Sequence, residues 1–169
     1  MSANDSVRVT IVVAVPPAEA FEAFTADVDA WWRRGPRFRA AGGRPSTMCF
    51  EGGAGGRLVE IGAGPGGARF EYGRVLAWEP PGHLRFEFRG QNFRPGETTW
   101  VDVRFEPDEG GTRVTLENGG FAALPPDHPV RHGAAEADFV VSMGRWWLEL
   151  AQALRGLTRA GRRPPSGSA

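Results

Sequence analysis

Residues 70–90, FEYGRVLAWEPPGHLRFEFRG, and residues 99–121, TWVDVRFEPDEGGTRVTLENGGF, spell out a run of antiparallel strands together with the turns that join them. Leu84, Phe86 and Phe88 alternate with Arg85, Glu87 and Arg89. Val101, Val103 and Phe105 alternate with Asp102, Arg104 and Glu106, and Val114 and Leu116 with Arg113, Thr115 and Glu117. A period of two gives each strand one apolar and one charged face, as in a sheet covered on one side and wet on the other. Ion pairs across the wet face are worth roughly a few tenths of a kcal/mol each and report exposure, not function. Glu79-Pro80-Pro81-Gly82 and Pro107-Asp108-Glu109-Gly110-Gly111 supply turn residues between the runs, so the stretch is a meander.

Working outward, Val7, Val9, Ile11, Val13 and Val15 form an earlier strand that Pro16-Pro17 ends. PAEAFEAFT, residues 17–25, opens with Pro at a helix start, carries Glu19 in the first turn and sets Ala20, Phe21 and Phe24 on one face. A short second helix runs through Val28, Trp31 and Trp32. A Gly/Pro/Arg loop over residues 33–45 follows, then short strands at 48–51 and 57–61 joined by Gly52–Gly56. Residues 121–133 read as a loop. Beyond it the period changes to about 3.6: Phe139, Met143, Trp146, Trp147, Leu150, Leu154 and Leu157 share one stripe of a long helix over 135–159. The final GRRPPSGSA has nothing to bury, so residues 161–169 are expected to be a disordered tail after a single domain at 1–160. A curved antiparallel sheet must cover its concave face, and only the last helix is long enough to do so. The expected class is α+β, a sheet gripping a C-terminal helix.

Composition narrows the partners. The 169 residues are enough to bury roughly 70% of the unfolded surface in one domain. Twenty basic against 20 acidic residues leave no global field toward nucleic acid or membrane surfaces. All the basic residues are arginine, which suits GC-rich codon usage and weakens any functional reading of arginine counts. Cys49 alone permits no internal disulfide. The chain begins without a basic-then-apolar leader and has no apolar run of membrane-spanning length, so a cytoplasmic protein is expected, with no membrane insertion.

VPPAEAFEAFT at 15–25, DAWW at 29–32, FEGGAGGRL at 50–58, YGRVLAWEPPGHLRFEF at 72–88, VRFEPDEGGTRVTLENGGF at 103–121 and GRWWLELAQALRGL at 144–157 together resemble the helix-grip superfamily of the birch-pollen allergen, lipid-transfer-related domains and polyketide cyclases. Within it the chain is most similar to the homologue domain of the activator of the heat-shock chaperone ATPase. The resemblance implies a helix-grip fold with a hydrophobic cavity between sheet and long helix, holding a small apolar or amphipathic molecule. On this chain the walls would be Trp31, Trp32, Tyr72, Phe86, Phe88, Val101, Val103, Met143, Trp146 and Trp147. A cyclase- or hydrolase-type enzyme using the same cavity and a chaperone-interaction module are the alternatives, and a homodimer is a possible assembly.

The residues nominate no catalytic group, cofactor or metal. Gly62-Ala63-Gly64-Pro65-Gly66-Gly67 fits G-x-G-x-x-G after a strand, but a further strand follows it, so no helix N-terminus awaits a pyrophosphate. Without lysine, a Walker-type site is excluded. His128, His132 and Glu136 have the spacing of metal ligands on a helix, yet Pro129 and Gly133 argue for a surface loop. Cys49 is expected to be buried and inert, and His83 to be solvated beside its turn. Arg33, Arg34, Arg37, Arg39 and Arg44, interleaved with Trp31, Trp32 and Phe38, suit either single-stranded nucleic acid or an anionic group of a small ligand; charge neutrality disfavours nucleic acid as a partner.

Overall fold

The computed structural model describes residues 5–159, the side chain at 136 excepted. β1 (Ser6–Val13) is followed by α1 (Pro17–Thr25) and α2 (Val28–Trp31), then by β2 (Ser46–Glu51), β3 (Arg57–Gly62), β4 (Arg69–Glu79), β5 (His83–Phe88), β6 (Thr99–Asp108) and β7 (Gly111–Gly119), and finally by α3 (Glu136–Arg159). The strands form one seven-stranded antiparallel sheet in the order β1-β7-β6-β5-β4-β3-β2. The sheet is not closed; it wraps α3 in the helix-grip manner, and α3 lies along β1 and against α1 and α2. The proposed tail at 161–169 lies outside the described residues.

Register carries the alternating pattern across the sheet. Leu84, Val103, Leu116 and Val9 stand side by side in successive strands, and the neighbouring row on the other face is Arg85, Asp102, Glu117 and Arg8. The first row is apolar and faces α3; the second is wet, and Arg8 donates to Glu117 at 2.7 Å while Arg85 reaches Asp102 at 3.4 Å. β4 breaks the strict period, because its register shifts once against β3 and once against β5. Tyr72, Val75 and Trp78 therefore all reach the interior side although their spacing is three. Gly73 sits where a Cβ would lie 1.7 Å from the Glu87 carbonyl oxygen, so β4 and β5 meet at a point only glycine permits.

Two expectations are corrected on the sheet. Cys49 is only half-buried: β2 is an edge strand whose inward residues are Ser46, Met48 and Phe50, so Cys49 points the other way. His83 is not free in solvent. It opens β5, where Nε2 lies 2.6 Å from Asp102 and Nδ1 lies 2.7 Å from Glu79. Burial pulls its pKa down, but the hydrogen bonds to Asp102 and Glu79 outweigh that and hold it above the ordinary histidine value. A raised folded-state pKa stabilises the fold fully below the unfolded value, and the contribution is lost as pH rises through the folded one. Replacing His83 by glutamine should thus cost on the order of 1 kcal/mol at mildly acidic pH and little at alkaline pH. Urea melts of both proteins at the two pH values measure it; equal costs at both would remove the cluster from the stability account.

Candidate functional site

The helix stripe divides into a packed half and an open half. Trp147, Leu150 and Leu154 are almost fully buried against the sheet and α1. Trp32 lies at the centre of an aromatic cluster, its ring 5.8 Å from that of Trp147, 5.9 Å from Phe88 and 6.0 Å from both Tyr72 and Trp146. The indole nitrogens donate inside the protein: Trp31 to Phe24 O, Trp32 to Phe38 O, Trp147 to Asn118 Oδ1 and Trp146 to Arg37 O. Space beneath this half of α3 is filled by side chains. Toward the start of α3, residues 120–135 cross over instead of the sheet continuing, and a cleft of about 670 Å³ remains between that crossing, the 36–40 loop, the 90–93 loop and the first turns of α3.

Of the ten side chains expected to form a cavity, Tyr72, Phe88, Met143 and Trp146 line this cleft. Trp31, Trp32, Phe86, Val101, Val103 and Trp147 do not; they are at most 2% exposed and belong to the solid core. Both members of the Trp31–Trp32 pair turn inward, and only the second pair is divided, with Trp146 at the cleft and Trp147 in the core. Phe38, Phe70, Phe93, Phe121 and Phe139 add the other aromatic rings of the lining and were not foreseen. Their common sequence signal is weak: most sit in loops or at element ends, where periodicity says nothing.

The 33–45 loop that forms one wall is held by two buried ionic groups. Arg39, 4% exposed, pairs with Asp29 at 2.7 Å and donates to the carbonyls of Trp32, Asp29, Arg33 and Ser46. Glu60, 2% exposed, accepts from the Tyr72 hydroxyl at 2.5 Å, from Ala40 N at 2.8 Å and from Ala41 N at 2.9 Å. Burial pushes the Glu60 carboxyl upward, but the bonds from Tyr72 and the Ala41 and Ala40 amides outweigh it and keep its pKa below the usual glutamate value. Burial and the same carboxylate drive the Tyr72 phenol well above its ordinary range, so it is a donor at neutral pH.

The arginine-rich loop offers no free cationic stripe. Arg33 and Arg37 pair with Glu149, Arg34 and Arg39 with Asp29, and Arg44 donates to Ala41 O. His128 is likewise corrected from a surface residue to a buried one at 4% exposure. Its Nδ1 accepts from Val130 N at 3.1 Å, which places the proton on Nε2, 3.1 Å from Glu97. Residues 129–131 form a 3₁₀ turn and α3 begins only at Glu136, so the histidine spacing never falls on a helix. No group of three or more His, Cys, Asp or Glu side chains among the described residues is arranged to hold a metal.

The family description Activator of Hsp90 ATPase homolog 1-like protein matches residues 14–154. The chain belongs to this family. The Activator of Hsp90 ATPase homolog 1-like match spans everything from the end of β1 to the packed half of α3. Solved structures share the fold at low identity: a Mesorhizobium loti protein at 18% identity and TM-score 0.63, covering 94% of this chain and 99% of that one, and a Rhodobacter sphaeroides protein at 21% and 0.61, covering 96% and 98%. The Aha1 dimer of Colwellia psychrerythraea matches at 14% and 0.62, covering 94% and 98%. No curated protein matches significantly. No helix among the described residues is long and apolar enough to cross a membrane.

Proposed function

We propose that this member of the family binds a small, predominantly apolar molecule in the cleft at the start of α3. The observation that carries the reading is the cleft itself: about 670 Å³, with Phe38 and Phe93 from two loops, Phe70 from β4, Phe88 from β5, Phe121 from the crossing and Phe139 from α3 converging on it. Volumes of roughly 300–1,000 Å³ lined mainly by apolar groups suit small-molecule ligands. Binding is favoured over a reaction because the Tyr72 hydroxyl, the acid-base group nearest a carboxylate there, donates to Glu60, and that carboxylate already accepts from Tyr72, Ala40 and Ala41. Neither a cyclase- or hydrolase-type reaction nor chaperone interaction has a comparable observation behind it.

Trp146 reports on occupancy, because its ring stacks on Phe38 at 5.6 Å and lines the cleft. Titration with alkanols and naphthalene derivatives should shift or quench its emission and raise the melting temperature in proportion to ligand concentration. Met143→Trp, which fills the cleft from α3, should weaken the same ligands by about tenfold or more while costing about 1–3 kcal/mol in stability. An unchanged emission spectrum and melting temperature across the panel would sink the reading. Native mass spectrometry of freshly purified protein gives an independent check for a retained molecule.

A further inference from the structure

Resting on the cleft reading above, we infer that the ligand is an amphipathic monocarboxylic acid whose carboxylate is received by Arg131. This side chain lines the cleft and its residue is only 6% exposed. Nε donates to Pro125 O, and Nη2 to Phe121 O and Leu124 O, while the guanidinium stands 5.1 Å from the centre of the Phe139 ring. Every bond to this guanidinium within the described residues therefore goes to neutral carbonyls or a ring face. No carboxylate pairs with it among the described residues, and Nη1 makes no hydrogen bond there. Arg39, at a similar depth, is treated differently: it has Asp29.

An arginine stays charged in any protein environment, and a buried charge without a counter-ion is costly. Nε and Nη2 face the loop carbonyls, so Nη1 is the edge left for the cleft. The described lining adds Arg37 and Arg39, which share Glu149 with Arg33 and Asp29 with Arg34 respectively, and it contains no Asp or Glu. One cation without a carboxylate, at a site whose lining is mainly aromatic and aliphatic with polar groups such as Gln91, Asn92, His132 and Ser142, calls for one negative charge on a largely apolar body. That selects a carboxylate over a phosphate dianion, and it moves the anion site from the arginine-rich loop to the far wall of the cleft.

The test compares dodecanoate, dodecanol and dodecyl phosphate on the intact protein, read by Trp146 emission and by calorimetry. Dodecanoate should bind on the order of tenfold or more tighter than dodecanol, since a hydrogen bond to a charged group is worth more than one to a neutral hydroxyl. Arg131→Met should abolish that preference and leave dodecanol within about twofold of its parent affinity. Arg131 also ties three carbonyls; where this variant fails to fold, the head-group comparison on the unaltered protein decides alone. Equal binding of acid and alcohol overturns the carboxylate assignment and leaves the apolar cleft standing. Tighter binding of dodecyl phosphate overturns the single-charge assignment. Failure of all three probes overturns both the assignment and the cleft reading on which it rests.

Discussion

Glu60→Leu is expected to destabilise the protein by about 3 kcal/mol and to loosen one wall of the cleft at the same time. The substitution removes the acceptor from the Tyr72 hydroxyl and the Ala41 amide, and leaves the Ala40 amide only its second bond, 3.0 Å to Tyr72 Oη. A buried donor left without a partner costs about 1–3 kcal/mol, and relief from burying the carboxylate offsets part of the sum. Glu60→Gln keeps one acceptor oxygen and should lose roughly half as much. Ala40 and Tyr72 both line the cleft, so the ligand-induced change in Trp146 emission should weaken along with stability. Chemical denaturation gives the energy and amide exchange at Ala40 and Ala41 gives the location; a Glu60→Leu protein within about 0.5 kcal/mol of its parent would contradict the role assigned to the carboxylate. The acid limb follows from the lowered Glu60 pKa. Its contribution is present above the ordinary glutamate value and is lost as pH falls through the folded one, so the two proteins should converge in stability in strong acid.

Trp147→Ala is expected to cost about 3–5 kcal/mol for the cavity it leaves, a large share of the roughly 5–15 kcal/mol that holds a domain together. Trp147 is 1% exposed, with ring centres 5.4 Å from Phe88 and 4.9 Å from Trp146. Its indole also donates to Asn118 Oδ1 at 3.1 Å, and Asn118 is itself fully buried, with its amide bonded to Thr99 Oγ1 and Trp100 O. The alanine variant leaves that acceptor bare, adding about 1–3 kcal/mol. Trp147→Phe separates the two effects, since it keeps most of the volume and loses only the hydrogen bond. Near-native stability of Trp147→Ala would mean that the packed half of α3 does not close the fold.

The sheet and α3 were legible because their patterns are local. Leu84-Phe86-Phe88 declares its buried face by parity, and the stripe from Phe139 to Leu157 does so by helical period. The cleft was legible only where it borrows from those patterns, at Phe88, Met143 and Trp146. Phe86, Val101 and Val103 have the same parity, but whether an inward residue faces a ligand or a neighbour depends on what fills the space opposite. Here Trp147 and the Trp31–Trp32 pair fill it. Glu60 was within reach of sequence reasoning, since it stands two positions after the fully buried Leu58 and so shares its face. Arg131 was not: its burial depends on residues 121–131 folding back so that its own loop carbonyls surround it, an arrangement without a period.

The position of β1 in the sheet sets an order of events. β2 through β7 are joined to their neighbours by hairpins, each closed by a short turn or loop, whereas Arg8 meets Glu117 across 109 positions of chain. Hairpins can zip as they emerge, but this last pairing must close a long loop against chain entropy. Of these seven strands, the first to leave the ribosome therefore waits for the last, with Ile11 and Val13 uncovered until Gly111–Gly119 has been made. A synthesis interrupted before β7 would release a chain carrying an apolar strand without its mate, a substrate for chaperone capture or aggregation.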